Sequence, residues 1–186
     1  MESRLWKLFA AIVLLLLVGS QQSSASDCLY SHPQSYFCNS EEVIRAKFLR
    51  EAEMKNSVNG YELQITEVFK GSYWSTGTSI RIKFSTGAAI DLRADPGDFV
   101  LTGSGSPDLQ VSGCSMVKPW SELTTKQAMG IRGAYKDGCS CEIISSFPKP
   151  GESKDQHCKL DDDSANQVAN QACIPKGGIC SWQTIN

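Results

Sequence analysis

All eight cysteines of this 186-residue chain lie at or beyond position 28, and what precedes them reads as a secretory signal. Arg4 and Lys7 lead into an unbroken apolar run from Leu8 to Val18, and Ser23-Ser24-Ala25 puts small residues at the positions a signal peptidase reads. The run is far shorter than the roughly 20 apolar residues a helix needs to cross a bilayer, so no membrane span is expected there or later. Cleavage after Ala25 would expose a chain beginning Ser26-Asp27-Cys28. An even cysteine count in an oxidising compartment is most simply four disulfides. A zinc site fits poorly, because the chain has only 2 histidines and extracellular thiols oxidise. Pairing rules alone leave every connectivity open. Cys139-Ser140-Cys141 cannot easily close on itself, so its two cysteines anchor different chain regions.

With 18 basic and 20 acidic side chains the net charge is −2, too little for an overall basic field that would draw nucleic acid. From Val43 to Val111 the pattern is that of half-buried strands. Tyr61, Leu63 and Ile65 alternate with Glu62, Gln64 and Thr66; Ile80, Ile82 and Phe84 alternate with Arg81 and Lys83. Asn59-Gly60, Gly71, Gly77 and Asp95-Pro96-Gly97-Asp98 supply turns between the runs. Five or six short strands so spaced suggest a small barrel or sandwich, since closing a sheet removes its edges. Thr124 with Gln127 three residues on predicts a capped helix start, with the helix ending by Gly138. After Cys141 the pattern fades. Phe147-Pro148-Lys149-Pro150-Gly151 is linker-like, and the segment 142–186 is too small for its own core without covalent staples. The chain therefore divides into a signal (1–25), a β domain (26–141) and a small disulfide-linked module (142–186).

His32-Pro33-Gln34, Phe37-Cys38-Asn39-Ser40, Val43-Ile44-Arg45-Ala46-Lys47, Phe69-Lys70-Gly71, the run Pro119-Trp120-Ser121-Glu122-Leu123-Thr124-Thr125-Lys126-Gln127, Gly138-Cys139-Ser140-Cys141 and Cys180-Ser181-Trp182 occur in one order. In that combination the sequence resembles the tissue inhibitor of metalloproteinases family, whose members carry a netrin-like domain. The resemblance implies a mainly β fold: a five-stranded OB-like barrel with flanking helices, followed by a small disulfide-held C-terminal module. It implies the pairs Cys28 with Cys114, Cys38 with Cys139, Cys141 with Cys180 and Cys158 with Cys173. It also implies a secreted, extracellular, non-enzymatic protein with no intrinsic cofactor, acting on zinc metalloproteinases.

The family's inhibitory edge carries over to Ser26, Asp27, Cys28, Leu29, Tyr30 and Ser31, together with the loop Ser85, Thr86, Gly87 and Ala88. The resemblance implies that the first mature residue, Ser26, meets the partner's zinc through its α-amine and carbonyl oxygen. Two departures bear on this. Family members normally start Cys-x-Cys, and here Ser26 and Ala88 stand where the first cysteine and its partner would be, so both halves of one disulfide are missing together. The tail likewise lacks both members of a short-range pair between Ile143 and Gly151. The residue that would enter the protease's specificity pocket is Asp27, a carboxylate, which argues against strong inhibition. Trimming to Cys28 would give the zinc-facing role to Cys28 and the pocket to Leu29. The alternative reading is a netrin-like extracellular module that binds a matrix component, receptor or pro-protease without inhibiting anything.

Other candidates point to structure. His32 is expected to pack or cap, and Asp161-Asp162-Asp163 lacks the spaced ligands of a calcium loop and reads as a solvated turn. With every cysteine in a disulfide, no thiol remains to be activated. Tyr73 and Trp74 suit either an exposed contact patch or packing at the barrel mouth.

Overall fold

The computed structural model describes residues 32–52, 60–85, 91–93, 97–145 and 153–186. Six strands share one sheet: β1 (Glu42–Ala52), β2 (Gly60–Lys70), β3 (Ser79–Phe84), β4 (Asp98–Gly103), β5 (Asp108–Val111) and β6 (Val117–Pro119), in the order β5-β3-β2-β1-β4-β6. All neighbours run antiparallel except β3 and β5. The sheet curls until β5 meets the end of β4, where the Gln110 amide donates to the Ser104 carbonyl at 2.8 Å and the Ser104 amide donates back at 3.3 Å. The result is a mainly β, OB-like fold, with β6 as an added strand on the edge of β4. Register shifts at three places along the β1–β2 pair mark bulges, which increase local twist and help a long hairpin coil toward closure.

The period-two pattern sorts side chains as the sequence predicts. In β2, Tyr61, Leu63 and Ile65 are buried while Gln64 and Thr66 face solvent; in β3, Ile80 and Ile82 are buried while Ser79 and Arg81 are exposed. These inward residues join Ile44, Ala46, Phe99, Leu101, Leu109 and Val111 in the barrel core. The opposite faces of β1 and β4 are covered as well. Val43 and Val100 point away from the barrel into a second core with Phe37, Ile131, Tyr135, Ala172 and Ile185. That core draws on residues from both sides of Cys141, so the C-terminal segment packs directly on the barrel's outer wall.

Three helical stretches supply this outer layer before Cys141. Helix α1 (Pro33–Asn39) has Pro33 in its first turn, where its missing N–H costs nothing. Helix α2 (Thr125–Met129) starts with the expected reciprocal cap between Thr124 and Gln127, passes through one π-helical turn (Gly130–Ala134) and ends in α3 (Tyr135–Asp137), stopping at Gly138. The Tyr135 ring occupies the space a Cβ on Gly130 would need, which ties the wide turn to a residue without a side chain.

Beyond Cys141 the structure is more regular than the sequence suggests. Strand β7 (Glu142–Ile144) pairs with β8 (His157–Lys159); helix α4 (Ala165–Asn170) leads into a hairpin of β9 (Gln171–Lys176) and β10 (Ile179–Thr184). Its two-residue turn is Gly177-Gly178, with φ of 63° and 87°, the mirror-image turn that matches strand twist. Disulfides join Cys38 to Cys139, Cys141 to Cys180 and Cys158 to Cys173, each a pair implied by the family resemblance. The Sγ atoms of Cys141, Cys173 and Cys180 lie within 4.8 Å of one another as adjacent disulfides, and no described cysteine is free to ligate a metal.

Candidate functional site

Of the ten edge residues named from the sequence, Ser85 falls within the described structure; Ser26, Asp27, Cys28, Leu29, Tyr30, Ser31, Thr86, Gly87 and Ala88 lie outside the described residues. The supports of both segments are described. Ser85 closes β3: its N–H donates to the Val111 carbonyl at 2.9 Å, extending the β3–β5 ladder by one step. Ser85 thus ends the strand beside the last residue of β5.

Three residues past Val111 stands Cys114, itself disulfide-bonded; its implied partner Cys28 lies outside the described residues. The turn that carries it satisfies its own polar groups. The Ser115 amide donates to the Ser112 carbonyl (3.0 Å), the Ser112 amide to Ser115 Oγ (3.0 Å) and the Cys114 amide to Ser112 Oγ (3.1 Å). Immediately after it, the Met116 amide donates to Oγ1 of fully buried Thr102 at 2.7 Å, and the Thr102 amide donates to the Met116 carbonyl at 2.9 Å. A short turn fixed to β4 from behind is a stiff anchor for whatever is bonded to Cys114. The turn faces the chain leaving α1 across a polar hollow of about 280 Å³ lined by Asn39, Ser40, Glu41, Ser104, Gln110 and Ser112.

The other support is His32, directly after Ser31. It is fully buried and does what the sequence predicts, packing and capping at once: Nδ1 accepts the Gln34 N–H at 3.1 Å, and Nε2 donates to the Gln167 carbonyl at 3.1 Å. These partners require the neutral ring, protonated on Nε2. Burial lowers its pKa, an effect only partly offset by the backbone carbonyls of Gln167 and Gln171. The last carbonyls of α4 are then fully accounted for. Gln167 meets His32, Val168 accepts from Gln127 Nε2 (3.0 Å), Ala169 accepts from Thr124 Oγ1 (2.6 Å) and Asn170 accepts from the Ile185 amide (3.0 Å).

Sequence reasoning assigned no separate role to several of these residues. Gln34, 1% exposed, hydrogen-bonds to the backbone of Gly138 and Cys173. Trp120 holds Arg45 and Arg132 over its ring (4.7 and 4.9 Å) and stacks on Phe69 at 5.5 Å. For Gln34 the available signal was a polar residue between the buried positions Pro33 and Ser35; for Trp120, in a largely exposed or half-buried stretch, there was none beyond the size of the ring. Tyr73 and Trp74 divide between the two roles left open: Tyr73 is 58% exposed, while Trp74 packs on the barrel core. Asp161 forms a two-way pairing with Gln167, whose Oε1 accepts its amide and whose Nε2 donates to its carboxylate, both at 2.9 Å.

Among the described residues nothing is arranged for covalent chemistry. Both histidines engage both ring nitrogens, His157 with the Ser153 carbonyl and the Glu142 carboxylate, and no cysteine is free. The described helices include none long and apolar enough to cross a membrane. What the described fold does provide is a disulfide-bonded, turn-locked Cys114 three residues beyond Val111, whose carbonyl holds Ser85 at the end of β3.

Comparison with known proteins points the same way. The model of the family described as tissue inhibitor of metalloproteinase matches residues 24–182. The chain is 29% identical to metalloproteinase inhibitor 3 of Scyliorhinus torazame, covering 93% of this chain and 89% of the relative. It is 30% identical to metalloproteinase inhibitor 3 of Xenopus laevis (90% and 86% covered) and 27% identical to human metalloproteinase inhibitor 2 (91% and 86%).

Proposed function

Because the chain belongs to the tissue inhibitor of metalloproteinase family, a family of inhibitors and not enzymes, we propose that it is secreted and blocks extracellular zinc metalloendopeptidases by presenting its mature N-terminus to the protease's zinc. A catalytic zinc keeps three protein ligands and one water-filled position, so a small bidentate chelator there displaces the attacking water. Ser26 supplies the chelator through its α-amine and carbonyl oxygen. The amine must be free and deprotonated, and its ordinary pKa of about 8 falls on metal contact. The zinc belongs to the target, and the protein needs no cofactor of its own.

The observation that carries the reading is the support of the two edge segments: Ser85 is hydrogen-bonded to Val111, three residues before the bonded, turn-locked Cys114. With Cys28 tied to Cys114 as the resemblance implies, the leading residues would be joined to the barrel a few positions from the residue that holds Ser85. Potency is limited by two features of the sequence. Without a bond between positions 26 and 88, Ser26 and Asp27 must be ordered on binding, at roughly 1–2 kcal/mol per residue. Asp27 also brings an unpaired carboxylate into the specificity pocket.

The test is to define the mature N-terminus by mass spectrometry and titrate the refolded protein against a panel of metalloproteinases, beside an N-acetylated control. Inhibition abolished by acetylation is the expected result. A start at Cys28 would transfer the chelating role to Cys28 and the pocket to Leu29. If neither form slows any protease at micromolar concentration, the inhibitory reading is wrong and the non-inhibitory matrix, receptor or pro-protease module takes its place.

A further inference from the structure

The three described disulfides differ in how far solvent reaches them. Cys139 is exposed and its partner Cys38 half-buried, whereas Cys158 and Cys173 are both buried and Cys141 is the buried end of the bond to half-buried Cys180. The Cys38–Cys139 bond also walls a hollow of about 330 Å³ between the end of α1 and the start of β7, together with Ser35, Asn39, Ser140 and Glu142. Two features suit this bond to opening within the folded protein. The sulfurs of Cys38 and Cys139 lie 3.7 and 3.4 Å from the Tyr135 carbonyl oxygen, an acceptor already placed for the S–H groups that cleavage would leave. Lys70 Nζ donates to the Cys38 carbonyl at 2.8 Å, which holds a cation at Cys38, and a nearby cation favours a sulfur that departs as thiolate. Among the described residues lining the hollow, Glu142 alone is charged, and its side chain is exposed.

We propose that the Cys38–Cys139 disulfide is a thiolation site that takes a small aminothiol at Cys139. The thiolate enters through the hollow and attacks Cys139 Sγ. A new S–S bond forms there, the bond to Cys38 breaks, and its electron pair leaves on Cys38 Sγ, which takes a proton from water. A second aminothiol attacking the mixed disulfide would release the symmetrical disulfide of the reagent, so that two small thiols are oxidised as one protein disulfide is reduced to two thiols. The ammonium of an aminothiol answers the Glu142 carboxylate, which repels an anionic thiol. Cys38 packs on the outer core and neither sulfur belongs to the barrel core, so the sheet keeps its own packing when the bond opens. This site stands whether or not the chain inhibits a protease.

Cysteamine is the probe. The folded chain is incubated with it at neutral pH without denaturant, quenched in acid, alkylated and mapped by mass spectrometry. The expected product carries cysteamine on Cys139 and the alkyl label on Cys38, or the alkyl label on both once a second thiol has resolved the adduct. It should form on the order of tenfold ahead of any label on Cys141, Cys158, Cys173 or Cys180, with slow hydrogen exchange retained at the β2 amides. Opening of either other described bond at an equal rate, cysteamine on Cys38 in place of Cys139, loss of β2 protection with the first adduct, or no reaction at millimolar thiol overturns the proposal. Glu142→Gln tests the route. It is expected to slow cysteamine about twofold and to speed mercaptoacetate, an anionic thiol, by about the same factor. Each thiol is compared with itself, so its intrinsic reactivity cancels. Rates unchanged for both thiols would mean that attack does not pass through the hollow, and the proposal falls.

Discussion

Lys70 Nζ donates to the carbonyl oxygens of Cys38 at 2.8 Å and Phe37 at 3.0 Å, so the last residue of β2 closes the C-terminal end of α1. The final carbonyls of a helix lack partners within it and favour a nearby cation. Lys70 is half-buried, and burial lowers its pKa. Lys70→Met keeps the apolar stem and removes the donor, and is expected to destabilise the fold by about 1 kcal/mol, the common value of a partly solvated hydrogen-bonded charge. In urea unfolding the midpoint should fall with no change of slope. An unchanged midpoint would mean that water caps the helix equally well.

The neighbouring glycines of the β2–β3 connection separate two costs that are usually mixed. Gly71 and Gly77 both have positive φ, 102° and 86°. A Cβ on Gly77 meets nothing within 4 Å, whereas on Gly71 it would fall on the buried Glu42 carboxylate. Gly77→Ala should therefore cost only the backbone penalty, about 1 kcal/mol. Gly71→Ala adds displacement of a buried charged group and should cost roughly 2–4 kcal/mol. Equal losses in parallel thermal melts would show that Glu42 moves aside freely.

Acid should loosen the fold through His32. The unfolded chain titrates this residue near pH 6.5, and burial holds the folded value lower. Between the two values the unfolded chain binds more protons, so stability rises with pH there. The contribution is complete above about pH 6.5 and is lost as the pH falls from there toward the folded value, when a proton on Nδ1 would face the Gln34 N–H. His32→Asn is expected to flatten the decline in unfolding free energy between pH 7.5 and 5. Parallel curves for parent and variant would remove His32 as its source.

What the sequence made readable follows from local periodicity. Tyr61, Leu63 and Ile65 announced β2 because one face of that strand is wet, and Thr124 with Gln127 announced α2 because a cap is a local device. β4 was harder: Phe99 to Gly103 are buried without a break, since one face fills the barrel and the other packs under the helices. The β9–β10 hairpin was signalled by Gly177-Gly178 between Ile174 and Ile179, but the polar, disulfide-rich tail around it hides the alternation. Gln34 takes its role from Gly138 and Cys173, and Trp120 meets Arg45 and Phe69, all partners more than 40 positions away, and no short window of sequence contains both halves of such a contact. As for the candidate site, the sequence named its residues by resemblance, while its stiffness resides in Thr102, Ser112 and Ser115, which lack any pattern of their own.

The disulfides should differ in what their loss costs, because they close loops of different length. Cys38–Cys139 spans 101 positions and Cys158–Cys173 only 15. In the loop-entropy account these are worth about 4–5 and about 3 kcal/mol. Replacing Cys38 and Cys139 together by serine should thus lower the urea midpoint more than replacing Cys158 and Cys173. The reverse order would show that the C-terminal pair does more than shorten a loop, as expected if Cys173 also holds its backbone in register with Gln34.

Replacing Asp27 tests the pocket argument most directly. An unpaired carboxylate moved from water into a specificity pocket loses hydration worth several kcal/mol unless it finds a cation there. Threonine is close in size, stays polar and carries no charge. Asp27→Thr is therefore expected to tighten inhibition of proteases with apolar pockets by at least about tenfold, while leaving the thermal midpoint unchanged. A protease whose pocket carries a basic residue should respond in the opposite direction, because it loses an ion pair. If no protease in the panel distinguishes the two forms, residue 27 does not enter the pocket, and the leading segment meets its target in another register.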